Sequence, residues 1–173
     1  MLETLRDALK TQEMRKKIIF TLVMFLIFRI GSHIPVPGID KAQIAALIER
    51  VALLGFFDTI SGSAFQNVSI FAMSITPYIN ASIIIQLLTV VFPRLEAIAK
   101  DDRKKIVEYT RYLTVVLGFI QAIGMSFGLR SALTDTSFLS IATIVISLTA
   151  GTACLMWIGE LITEKGIGNG ISL

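Results

Sequence analysis

One stretch, Ser69-Ile-Phe-Ala-Met-Ser-Ile-Thr-Pro77-Tyr-Ile-Asn80-Ala-Ser-Ile-Ile-Ile-Gln86-Leu-Leu-Thr-Val-Val-Phe92, restricts what this chain can fold into more than any other. It is apolar enough to enter a bilayer, yet a proline interrupts it and Asn80 and Gln86 fall within it. Lipid satisfies neither a freed backbone carbonyl nor a side-chain amide, so a broken, polar-bearing helix persists only against protein or a water-filled cavity. The segment argues for a path through the membrane rather than an anchor in it.

Three further segments are apolar enough to span a core that needs roughly 20 such residues. They are Ile18–Ile34, with Arg29 as its one charge, Tyr112–Leu129, with none, and Phe138–Gly159, uncharged until Glu160. Four spans in one membrane domain predict an all-α, polytopic helical membrane protein. With 54% hydrophobic and 17% charged residues, the chain has too little polar cover to bury four such helices in water. The first apolar run is longer than a signal-peptide core and no small-x-small site follows it, so a cleaved signal peptide is not expected. Cys154 is the single cysteine, which excludes an internal disulfide and a cysteine-based metal site and leaves a small packing residue.

The charges predict a topology. Arg6, Lys10, Arg15, Lys16 and Lys17 precede the first span, and Arg94, Lys100, Arg103, Lys104, Lys105 and Arg111 lie between the second and third. On the opposite side only Lys41, Arg50 and Arg130 occur. This asymmetry puts the N-terminus, the 93–111 loop and the C-terminus in the cytoplasm of a multi-pass inner-membrane protein. Anionic lipid accounts for the basic runs, and no direct nucleic-acid contact is needed.

Read in order, residues 1–17 form a cytoplasmic amphipathic segment with Leu2, Leu5 and Leu9 on one face. Helix one is expected over 18–34. Two readings are open for Arg29: a wet cavity or partner near mid-membrane, or an outward-shifted helix from which it snorkels. Prolines and glycines from Gly31 to Gly38 end that helix, and His33 reads as a loop residue. An external loop over 35–56 carries a short helix capped by Asp40. Residues 57–75, too polar to cross and too apolar to be an exposed loop, predict a re-entrant half-helix. Pro77 then biases Thr76 toward extended backbone, and a second helix runs over 77–92. A cytoplasmic loop over 93–111, helix three over 112–129, helix four over 138–162 and a glycine-rich turn over 166–170 complete the domain. The turn matches neither nucleotide fingerprint. No catalytic constellation is present, and neither an enzyme nor a cofactor is expected.

Phe28-Arg-Ile-Gly31, Ile34-Pro-Val-Pro-Gly38, Ser69-Ile-Phe-Ala72, Thr76-Pro-Tyr-Ile79, Ala81-Ser-Ile-Ile-Ile-Gln-Leu-Leu88, Arg103-Lys-Lys105, Tyr109-Thr-Arg-Tyr112, Gly159-Glu160 and Gly166-Ile-Gly-Asn-Gly-Ile-Ser172 follow one another in this order. Together they resemble bacterial SecY, the protein-conducting channel family, over essentially the whole chain. That resemblance implies the N-terminal part, helices one to four, of a ten-helix inverted-repeat channel that works with SecE and SecG. The Lys100–Arg103 junction is shorter than the family's usual glycine-containing loop. The resemblance further implies a plug over Phe57–Ile70, carried by Phe57, Ile60, Ser61, Gly62, Ser63, Ala64, Phe65 and Gln66. It makes Ile75 and Ile79 part of the apolar pore ring, and Asn80, Ile83, Gln86, Leu87 and Gln121 part of a lateral gate. Arg103, Lys104 and Lys105 become a cytoplasmic basic loop. The implied partners are a SecA ATPase or the ribosome, a signal-sequence-bearing polypeptide, anionic lipid and the C-terminal half of the channel. Two other readings remain: a secondary transporter or ion-channel subunit with small ligands near Asn80 and Gln86, or a scaffold subunit in which the break has no transport role.

Overall fold

The computed structural model describes residues 11–40, 68–130, 133 and 135–173. The expected amphipathic segment over 1–10, the short helix after Asp40 and the plug residues 57–66 lie outside the described residues. The described helices are α1 (Gln12–Gly31), α2 (Thr76–Val91), α3 (Pro93–Asp101), α4 (Arg103–Gly128) and α5 (Phe138–Lys165). α4 lies between α2 and α5, α5 also carries α1, and α3 folds back on α2 and α4. The architecture is all-helical, as expected.

Several boundaries differ from the expectation, each for a local reason. α1 begins at Gln12 rather than Ile18, because Gln-Glu-Met-Arg-Lys-Lys are good helix formers that continue the helix beyond its apolar stretch. It ends at Gly31 rather than Ile34, where the Ser32 hydroxyl donates to the Arg29 carbonyl at 2.8 Å. The 93–111 stretch is not a loop. Pro93 starts α3, and Asp102 caps α4 by accepting the Lys104 N–H at 3.0 Å. Thr76 is the first helical residue of α2 rather than an extended one, so Pro77 sits at the second position, where its missing N–H is unneeded. α5 continues to Lys165, where Gly166 ends it.

Of the four expected spans, α4 and α5 are long and apolar enough to cross a membrane on their own. α2 and α3 meet at a 110° bend, so only α2 can run with the spans. Its 16 residues reach about 24 Å, short of a core roughly 30 Å thick. α1 has 20 residues but carries Glu13, Arg15, Lys16, Lys17 and Arg29.

Residues 68–75 are turns around a single bridge between Ser69 and Pro35 rather than the expected half-helix. Two backbone bonds hold them to the chain after α1: Val36 N–H to the Val68 carbonyl at 2.9 Å, and Ile70 N–H to the Ile34 carbonyl at 3.1 Å. Phe71 stacks on Phe28 at 5.8 Å and covers Gly31, where any Cβ would overlap its ring. Val68 and Ser74 take left-handed backbone angles, φ 40° and 54°, which non-glycine residues rarely adopt. Around this collar lies the core, formed by Val36, Ala72, Ala122, Ile144, Val145 and Leu148. The broken segment is therefore packed between the ends of α4 and α5 that are joined by the 129–137 connection.

Candidate functional site

The point of interest is the start of α2, where the turn segment becomes helix. Proline removes one donor, and the Ile75 carbonyl accepts two of the others, from Tyr78 at 3.0 Å and Ile79 at 3.1 Å. Pro77 and Tyr78 are buried. Gly118 of α4 faces Pro77 and Thr152 of α5 at ordinary van der Waals distance, so three helices meet at this level. The Thr152 hydroxyl is buried there and has no hydrogen-bond partner among the described residues. Buried Thr114 and half-buried Thr149, by contrast, return their hydroxyls to the carbonyl four residues back.

Ile75 and Ile79 are one turn apart, but their surroundings differ. The Ile75 side chain leans on Gly159 of α5. Ile79 is 42% exposed and opens away from the bundle. It begins an apolar stripe with Ile83, Leu87 and Val90, all at least half exposed and spaced so as to share one face of α2. Asn80 is half-buried beside fully buried Ala81. Gln86 lies at the stripe's edge and donates to the Ser82 hydroxyl at 3.1 Å.

Gln121 is half-buried on α4, but the structure does not bring it to Gln86. α4 runs antiparallel to α2, and the two are level at Gly118 and Pro77. Gln121 lies about 4.5 Å beyond that level on one side and Gln86 about 13 Å on the other. Arg103 opens α4, and Lys104 and Lys105 follow it as exposed first-turn residues. Arg29 falls in the last turn of α1, near the helix end rather than its middle, which favours the outward-shifted reading. His33 is an exposed loop residue whose Nδ1 lies 2.9 Å from the Arg29 carbonyl.

Sequence reasoning missed one contact. Arg111 of α4 and Glu160 of α5 form a two-pronged ion pair, with Nε donating to Oε1 at 2.8 Å and Nη2 to Oε2 at 2.7 Å. Both residues stand in motifs noted above, but 49 positions separate them and no periodicity links them.

The family model for SecY matches residues 69–173. The protein translocase subunit SecY of Streptomyces scabiei is 45% identical over 192 aligned positions, covering all of this chain and 44% of that protein. The same subunit of Escherichia coli K12 is 48% identical over 172 positions, covering 93% of this chain and 39% of that protein. Among solved structures, Sec61 from a canine ribosome–channel complex of the endoplasmic reticulum superposes with a TM-score of 0.65 at 22% identity, over 95% of this chain and 36% of that one. A SecY structure described for its plug domain gives 0.67 at 21% identity, over 95% and 35%. The chain spans less than half the length of the curated relatives it matches. A family match over more than half of the residues, together with relatives 45–48% identical, means that the chain belongs to the SecY family.

Proposed function

We propose that this chain is the N-terminal part of the central subunit of a Sec protein translocation channel in the cell inner membrane, with its N-terminus in the cytoplasm. The channel passes unfolded secretory polypeptides across the bilayer and releases transmembrane segments sideways into it. The observation that carries the reading is the break before Pro77, which leaves a short helix with an exposed apolar stripe at the junction of three packed helices. Ile75 and Ile79 serve as this half's share of an apolar constriction, which yields to a passing chain and hinders ions by dewetting.

In this reading residues 57–66 form the plug, and the stripe of α2 with Asn80, Gln86 and Gln121 lines one side of the lateral gate. The C-terminal half, SecE and SecG complete the channel. A SecA ATPase or the ribosome docks at the cytoplasmic face, where Arg103, Lys104 and Lys105 also meet anionic lipid. The comparisons do not favour a secondary transporter or ion channel. Replacing Ile75 and Ile79 together by glycine in the complete channel is expected to raise resting ion conductance or relax signal-sequence selectivity. Parental behaviour in both measurements rules the constriction out.

A further inference from the structure

We propose that Arg111 and Glu160, with Tyr78 beside them, are positioning residues for the constriction: a clasp that fixes the first turn of α2 against α4 and α5. This rests on the reading of Ile75 and Ile79 as the narrow point.

The clasp is directional. Two parallel bonds between a guanidinium and a carboxylate fix the relative orientation of both planes, which a single contact does not. Glu160 is the more enclosed partner, its side chain 16% exposed against 51% for Arg111. Without Arg111 its charge would be left largely desolvated, which is the costly arrangement for an ion pair. Tyr78, 8% exposed in the first turn of α2, lies within electrostatic range of both charges. The pair therefore lies near the first turn of α2, where the constriction is formed, not farther along.

The neighbour of Glu160 makes the link to the narrow point. A Cβ on Gly159 would stand 3.5 Å from Ile75 Cδ1 and 3.4 Å from both the Gly170 carbonyl and Ile171 Cγ1. Two adjacent α5 residues thus hold the α4 guanidinium and receive Ile75, the residue that caps the start of α2. The turn over the other side of Gly159 is itself tied down, with Gly170 N–H donating to Thr163 and Ile167 N–H to Thr21 of α1. Movement of α5 at this level changes the seat of Ile75 directly.

The test uses the complete, assembled channel in planar bilayers. Glu160→Gln and Arg111→Met are each expected to raise resting ion conductance several-fold. Arg111→Lys, which keeps the charge but not the paired bonds, should give a smaller rise. The exchange variant Arg111→Glu with Glu160→Arg is expected to recover at least part of the loss. A pair that only stabilises helix packing would lower the unfolding temperature and leave the conductance of assembled channels alone. Parental conductance in Arg111→Lys and in either single neutral variant overturns the clasp. If Ile75→Gly with Ile79→Gly leaks while the clasp variants do not, only the clasp fails; if none leaks and the double glycine variant also keeps parental signal-sequence selectivity, the constriction reading fails with it.

Discussion

Thr21 on α1 and Ile167 beyond α5 meet in a hydrogen bond, the hydroxyl oxygen accepting from the Ile167 N–H at 3.1 Å across 146 positions of sequence. The same hydroxyl donates to the Lys17 carbonyl at 3.0 Å, so it serves as a relay between a helix and a distant turn. Thr21 is buried, 7% exposed, although α1 otherwise presents mostly exposed side chains. It is a point at which α1 is held by polar contact.

Thr21→Val keeps the shape and removes the relay. The Ile167 N–H then loses its protein acceptor, which costs about 0.5–1.5 kcal/mol. Thermal unfolding of the assembled channel in detergent is the measurement. An unchanged midpoint would mean that the amide finds another acceptor at no cost.

Gly151 and Gly118 offer a paired comparison. A Cβ at Gly151 would overlap the Ile70 carbonyl, a backbone atom that can yield only if the 68–75 collar moves. At Gly118 the nearest atom would be a methyl of Thr152 at 3.6 Å, an ordinary contact. Gly151→Ala should therefore destabilise by about 2 kcal/mol or more, in the range typical of overpacked cores. Gly118→Ala should be neutral, or stabilise by up to ~1 kcal/mol through helix propensity. Equal unfolding midpoints for the two variants would contradict this packing.

Deletion of residues 57–66 tests the plug assignment. Translocation of a secretory precursor should persist in the complete channel while resting ion leak rises. Failure of the deleted protein to insert or assemble would instead mark the segment as a structural element.

The exposed pair on α3 makes a pH prediction. The Lys100 ammonium, 2.6 Å from a Glu96 carboxylate oxygen, holds that carboxyl below its ordinary value of 4.5. A lowered folded-state pKa means that the stabilising contribution is present above the ordinary value and is lost as pH falls through the lowered one. Lys100→Met should move the Glu96 midpoint back up, read from its carboxyl carbon-13 shift. Because the pair is solvated, the unfolding temperature at pH 7 should hardly change.

Much of the fold was legible in local chemistry. The apolar runs of α4 and α5, the proline break before α2 and the glycine stop at Gly166 each depend on a few adjacent residues. Polar residues at helix ends were harder. Charge in Arg103-Lys-Lys105 reads as loop, yet Asp102 caps a helix that carries these residues as its first turn. The candidate site was legible as a stripe, since Ile79, Ile83 and Leu87 repeat at helical spacing. Its depth was not, because α4 sets Gln121 on the far side of Pro77 from Gln86.

Sequence by itself determined the membrane class, the helical content and the place where the second apolar segment must break. These follow from hydropathy and from the missing proline N–H, properties carried by neighbouring residues. Only the tertiary structure decided that Arg111 pairs with Glu160, that Gly151 receives the Ile70 carbonyl and that Thr21 reaches Ile167. Such partners are chosen by how helices cross in space, and a helix shows its neighbours a face whose match lies tens of residues away.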